Sequence, residues 1–171
     1  MFYEKIITSE KPSKAPEKFT VYVVNDEEFI FCPLRNKVYK IDGKPEEVVR
    51  QWWIYRLRDD YGYSFSQMSA EVSVKVGAAK AKKKADIVVY TDSGKKKHRV
   101  FVEVKKPNSK EGIDQLQVYM NSTGCRLGLW SNGDAPHVYL LRIEPKDHEE
   151  EATWRELRNI PAAKEDLADV D

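Results

Sequence analysis

Asp86 and the triplet Glu103-Val104-Lys105 are the residues whose types and spacing point to chemistry. They lie in two short apolar runs, ADIVVYT (85–91) and RVFVEVKK (99–106), which read as strands. Carboxylates on neighbouring strands converge on one side of a sheet. There they offer the hard oxygen donors that Mg²⁺ takes at about 2.0–2.1 Å. A strand has period two, so Glu103 and Lys105 point the same way and an ammonium stands beside the acids. That ammonium can stabilise charge growing on a phosphate, position an attacking water or, when neutral, act as a base. A Lewis acid, an activated water and cations around the phosphate are what phosphodiester hydrolysis requires. The acid-x-Lys pattern also occurs at Asp42-Gly43-Lys44 and Glu144-Pro145-Lys146. The 103–105 copy differs because a charge inside an apolar strand is costly unless paired or metal-bound. Its plainer reading is a cross-strand salt bridge.

Further polar groups come from two helices. In KEGIDQLQVYMNSTG, Gln115 and Tyr119 are four apart and share a face, separate from the stripe of Ile113, Leu116 and Met120. Both could donate hydrogen bonds to a phosphate or a water at the active edge. In the first helix Glu46 or Glu47 could supply a third carboxylate. The alternative there is compensation of the helix dipole, with an i,i+3 pair between Glu47 and Arg50.

The elements that must position these residues follow from periodicity and turn chemistry. Residues 1–18 are polar and read as a loosely held arm. FTVYVV (19–24) and EFIFC (28–32) alternate around Asn25-Asp26-Glu27 as a hairpin, with VYKI (38–41) a third strand. Pro45 opens a helix that runs to Gly62, with an apolar face of Val49, Trp52, Trp53 and Leu57. Strands are expected at 69–77, 85–91 and 99–106, a second helix closes at Gly124, and strands follow at 126–131 and 137–143. The remainder, 144–171, reads as an acidic tail or linker with one short helix around Glu151–Arg158. The domain reading is therefore an N-terminal extension (1–44), a core (45–143) and a tail (144–171). An amphipathic helix on each side of a mixed sheet makes the fold class α/β.

The chain has 171 residues, 41% hydrophobic and 33% charged, enough for one ordinary domain and too apolar for wholesale disorder. Its net charge of +1 hides a segment, 75–110, that carries +9, while 144–171 carries −6. Such a basic segment attracts a polyanion, or is simply a pair of solvated lysine-rich turns. No apolar run approaches the ~20 residues of a membrane span. Two cysteines form no disulfide framework, so a reducing cytoplasm is the expected compartment and no membrane partner is expected. His98 and His137 have no zinc-ligand spacing. Trp52, Trp53 and Trp130 could stack on bases, but their positions on a helix and a buried strand assign them to the core.

The ordered set Glu47, Asp86, Glu103, Lys105, Gln115 and Tyr119 resembles the PD-(D/E)xK nuclease superfamily over roughly residues 45–131. Asp86 and Glu103-x-Lys105 match its motif, with Ala85 in place of the motif proline, and Gln115 and Tyr119 match QxxxY. The strings KPEEVVRQWWIYRLRDDYGYS, KKADIVV and VFVEVKKPN are similar to the N-terminal nuclease domain of type I restriction-enzyme R subunits. There GYP often stands where this chain has Gly62-Tyr63-Ser64. The resemblance implies a restriction-endonuclease-like core of helix, three strands, helix and strand, with an N-terminal β-hairpin extension. It further implies that Asp86, Glu103 and the Val104 carbonyl hold Mg²⁺ (Mn²⁺ in its place), with Glu47 completing the shell. Lys105 would assist the water and Gln115 orient it. Lys82, Lys83, Lys84, Lys95, Lys96, Lys97 and Lys106 would bind the phosphates of double-stranded DNA. The implied partners are a translocase domain in the same polypeptide and modification or specificity subunits. This chain itself has no GxxxxGK[ST] loop. Variants Asp86→Ala, Glu103→Ala and Lys105→Ala are expected to lose cleavage and keep the fold. The competing expectation is a non-catalytic DNA-binding or assembly module on the same fold.

Overall fold

A computed structural model describes residues 1, 3–77, 83–148 and 150–170. Strands β1 (Glu4–Ile7), β2 (Thr20–Val24), β3 (Glu27–Cys32) and β4 (Lys37–Lys40) form one sheet in the order β1-β2-β3-β4. Helix α1 (Pro45–Asp59) follows, then β5 (Met68–Val74), β6 (Lys83–Tyr90), β7 (His98–Val104), α2 (Ile113–Thr123), β8 (Leu127–Ser131), β9 (Val138–Ile143) and β10 (Thr153–Leu157). These six strands make a mixed sheet in the order β10-β9-β8-β7-β6-β5, in which only β7 and β8 run parallel. Among the described residues the fold is mixed α/β, with two sheets and two α-helices. Among the described residues no helix is long and apolar enough to cross a membrane.

Burial explains the layering. On one side α1 packs Val49, Trp53 and Leu57 against Val100, Val102, Leu127 and Leu129 of the large sheet. On another it packs Val48 and Tyr55 against Phe19, Val21 and Ile30 of the small one. Helix α2 covers the opposite face of the large sheet, where Leu116, Tyr119 and Met120 meet Val88, Phe101 and Trp130. The alternation in β7 thus sends Val100, Val102 and Val104 towards α1, and Phe101 and Glu103 towards α2. Close approach of α2 to β8 depends on Gly128, where a Cβ would stand 2.4 Å from Met120 Sδ and 3.1 Å from Leu116 Cδ2.

The hairpin forms as expected, its turn residues Asn25 and Asp26 both at positive φ (50° and 62°), the twist a tight hairpin prefers. Three expectations are corrected. Residues 4–7 are not a loose arm but a strand, paired in parallel with β2. All four of its residues are exposed, so the ladder rather than apolar burial holds it, and hydropathy gave no sign of it. Helix α1 ends at Asp59, short of Gly62, whose φ of +77° begins the exit turn. In 144–171 the expected helix is strand β10, antiparallel to β9. Trp154 and Leu157 stand three apart, which in a strand sends them to opposite faces, and each joins a different apolar cluster. The chain beyond is also integrated. Ile160 is buried, Tyr63 OH donates to Pro161 O at 2.8 Å, and Arg99 donates to Ala162 O and Glu165 O at 2.9 and 2.7 Å.

Candidate functional site

Adjacent strands carry the two acids. The β6–β7 pairing runs Val89↔Val100, Val88↔Phe101, Ile87↔Val102. Beyond that ladder the two acids are still neighbours, since Asp86 is, after burial, the group that most raises the Glu103 carboxyl. The paired ladder stops at Ile87↔Val102, and Val104 N–H donates instead to Asp86 Oδ2 at 2.8 Å. Lys105 donates from Nζ to Glu103 Oε1 at 2.8 Å, as period two requires. Both carboxylates are buried, at 7% and 4% exposure. Among the described residues Glu103 Oε2 has no hydrogen bond that meets ordinary geometry.

That arrangement has an electrostatic signature. Burial, and after it the neighbouring Asp86, push the Glu103 carboxyl up to about 7, although Lys105 pulls the other way. Burial would lower the Lys105 ammonium, but its hydrogen bond and charge pairing with Glu103 raise it on balance. Two acids lie together out of water, and one Glu103 oxygen has no hydrogen bond, which leaves the pair a free donor. Mg²⁺ binds through one or two carboxylates with the rest of its shell from water and phosphate. The residues present fit such an ion. Among the described residues no group of three or more His, Cys, Asp or Glu side chains is placed to hold a metal.

The two first-helix glutamates separate. Glu47 is closed off: Arg35 and Arg50 both ion-pair with it, and Gln51 Nε2 donates to its Oε1 at 3.0 Å. Glu46 is half-buried, and its carboxyl is raised by burial and then by Asp86, with Lys105 opposing. Glu46 therefore senses the acid pair. The i,i+3 pair of Glu47 and Arg50 is present, and Arg50 reaches further, donating from Nη2 to Asp86 Oδ1 at 2.6 Å.

The two candidates on helix α2 are held differently. Gln115 Oε1 accepts from Lys83 Nζ at 2.9 Å, while its Nε2 is buried without a partner. Tyr119 has its hydroxyl pKa raised by burial and then by Glu103 and Asp86, so it lies within reach of their charge, but its hydrogen bond goes elsewhere. It is buried, stacks on Phe101 with ring centroids 5.9 Å apart, and donates to Lys84 O at 2.9 Å, tying α2 to the start of β6. The helix N-terminus presses on the site through Gly112, whose φ is +107° and where a Cβ would stand 2.6 Å from Lys105 Cε and 3.4 Å from Glu103 Cγ. Trp130, paired in register with Glu103, fastens the entering loop by donating from Nε1 to Glu111 O at 2.7 Å. That loop, Lys106 to Glu111, borders a cavity of about 740 Å³.

The basic residues divide by position. Lys83, Lys84 and Lys106 stand at the same sheet end as the acids, and Lys84 and Lys106 are exposed. Lys95, Lys96 and Lys97 lie in the β6–β7 turn at the far end of those strands, at least about 13 Å along the strand from Asp86. The structure does not bring them to the acid pair, and Lys95 is engaged there with Met68 O at 2.9 Å and Ser69 Oγ at 3.0 Å. Lys82 lies outside the described residues. Trp53 and Trp130 are buried in the core, and Trp52 is half-buried under Arg56. His137 is held by Ser131 Oγ at 2.9 Å and stays uncharged, its imidazole lowered to about 4 by burial and then by Arg56.

Residues 45–161 match the family described as type I restriction enzyme R protein N terminus. The chain belongs to this family. No curated protein and no solved structure matches it. The R-protein N-terminal match spans α1 through β10 and so contains the whole acid cluster, while the four-stranded sheet that supplies Arg35 lies before it. Sequence reasoning underrated Arg50 and left out Arg35. The available signal was Arg50-Gln51 inside the apolar run VVRQWW, a charge that a buried helix face tolerates only with a partner.

Proposed function

We propose that this chain is a Mg²⁺-dependent endonuclease domain of the PD-(D/E)xK type that hydrolyses double-stranded DNA within a restriction system. The supporting observation is the closeness of Asp86 and Glu103, with Lys105 on one Glu103 oxygen and, among the described residues, no hydrogen bond to the other. Asp86 and Glu103, with the main-chain carbonyl of Val104, would hold the ion, and Mn²⁺ would serve in its place. The ion would supply a Lewis acid for the phosphate and lower the pKa of a water. Lys105 would hold that water or offset charge on the phosphate. Gln115 Nε2, buried without a hydrogen bond, would orient the water or phosphate. Glu46 is the better candidate for the first-helix carboxylate, since Glu47 is already closed by two arginines. Lys83, Lys84 and Lys106 would hold backbone phosphates without reading sequence. Family membership supports a restriction-system role, with a translocase and modification or specificity subunits as partners.

The test is nicking or cutting of supercoiled plasmid with Mg²⁺ or Mn²⁺ by the wild type, Glu103→Gln and Lys105→Ala. Loss of product in both variants, and in wild type with EDTA, is expected. Equal product from wild type and Glu103→Gln refutes the assignment. The Arg50–Asp86 ion pair favours a second reading, a DNA-binding or assembly module whose acids are permanently compensated from within. Duplex binding without any divalent-dependent product supports that version.

A further inference from the structure

Arg50 is buried and bridges two carboxylates, Glu47 through Nη1 and Asp86 Oδ1 through Nη2 at 2.6 Å. Its third edge, Nε, is buried without a partner, so the guanidinium is held on two sides only. Across the cluster Glu103 Oε2 is also unpaired. One acid of the pair thus carries an arginine on an oxygen that a metal ion would use, and the other presents a bare oxygen. Lys105 is engaged on Glu103, so the guanidinium is the cation in direct contact with Asp86, in a site sheltered from water.

We propose that Arg50 is a resident counter-cation of the carboxylate pair, released from Asp86 Oδ1 when a divalent ion binds between Asp86 and Glu103. Joint occupancy is disfavoured because a guanidinium has no acceptor and repels a dication across a sheltered site. Glu47 gives Arg50 somewhere to stay. Its carboxylate is pinned by Arg35 and Gln51, and Arg35 is anchored in turn on Glu71 at 2.8 Å. The small sheet, through Arg35, therefore sets how firmly the counter-cation is held. Arg50 acts as a positioning residue. Its role rests on the metal-site reading above and deepens it.

The test is calorimetric titration of the full chain with Mn²⁺, comparing wild type with Arg50→Met. Removing the competitor is expected to tighten Mn²⁺ binding at least about tenfold, the equivalent of one charge-assisted hydrogen bond. A purely structural residue would weaken binding when removed. Equal or weaker affinity in folded Arg50→Met overturns the proposal. A second measurement needs no change of charge: the Arg50 Nε–Hε resonance of the wild type, assigned by its loss in Arg50→Lys, is followed during Mg²⁺ titration. It is expected to shift with the calorimetric saturation curve, and an unmoved resonance at saturation overturns the proposal even if Arg50→Met does not fold. Absence of Mn²⁺ binding in wild type and Arg50→Met alike overturns the metal-site reading, and the counter-cation with it.

Discussion

Replacing Glu103 with glutamine is expected to stabilise the metal-free domain at alkaline pH. The side chain is 4% exposed and faces Asp86, and its carboxyl is pushed from an ordinary value of 4.5 up to about 7. An acid raised in this way is bound to its proton more tightly in the folded chain than in the unfolded one. The favourable contribution is present below pH 4.5 and lost as pH rises through about 7. Each tenfold change in protonation is worth about 1.4 kcal/mol, so the loss between pH 5 and pH 8 is of the order of 2–3 kcal/mol. Glutamine keeps an oxygen for Lys105 and never carries the charge. For a chain of this size, 1 kcal/mol moves Tm by about 2–4 °C. The Tm of Glu103→Gln relative to wild type should therefore rise by about 5–10 °C between pH 5 and pH 8, in EDTA. Calorimetric or fluorescence-monitored unfolding at the two pH values reads this directly. A Tm difference that is the same at both, or that moves against the variant at pH 8, would refute the idea that Glu103 is an under-compensated acid.

Three further outcomes follow from the geometry. Gly112→Ala puts a methyl group 2.6 Å from Lys105 Cε at a φ of +107°, so Tm should drop by the equivalent of about 1–3 kcal/mol and plasmid nicking should disappear. Nicking at the wild-type rate would mean that Lys105 can relocate without consequence. Replacing Lys84 and Lys106 by alanine should flatten the log–log salt dependence of duplex binding by about 0.9 per lost phosphate contact. The same change at Lys96 and Lys97, at the other sheet end, should leave the slope alone, and fluorescence anisotropy at several salt concentrations compares the pairs. Arg99→Met removes donors from Tyr63 OH at 2.8 Å, Ala162 O and Glu165 O. The chain after β10 should then be cut faster in limited proteolysis, with the large sheet still protected.

The parts of the fold legible in the sequence are those that apolar periodicity encodes. The run IVVY in β6 and the alternation of β7 follow directly from what each strand buries. So does the antiparallel pairing of the two strands, because sharing buried faces leaves few registers open. Strand β1 escaped detection because none of its residues is buried. Strand β10 escaped because its two apolar residues face opposite ways among charges. The fate of Glu47 was legible only in half: its partner one turn on was visible, but Arg35 arrives from a turn between β3 and β4 that no local pattern connects to α1. Tyr119 matched a helix spacing, yet spacing cannot distinguish a ring that stacks on Phe101 from one that faces a ligand.

The 2.8 Å contact from the Val104 main chain to Asp86 Oδ2 carries a consequence for how this domain tolerates change. Here a side chain does the work of a rung that the two strands no longer provide, so it fastens the seam of the sheet as well as serving any reaction. Trimming it to alanine strands a sheltered amide and looses Arg50, which couples damage to the scaffold with damage to the chemistry. The earlier expectation that Asp86→Ala would spare the fold therefore needs revising, and substitution at Lys105, at the open mouth of the cluster, is the cleaner probe. In a lineage drifting away from catalysis, the aspartate would outlast the lysine.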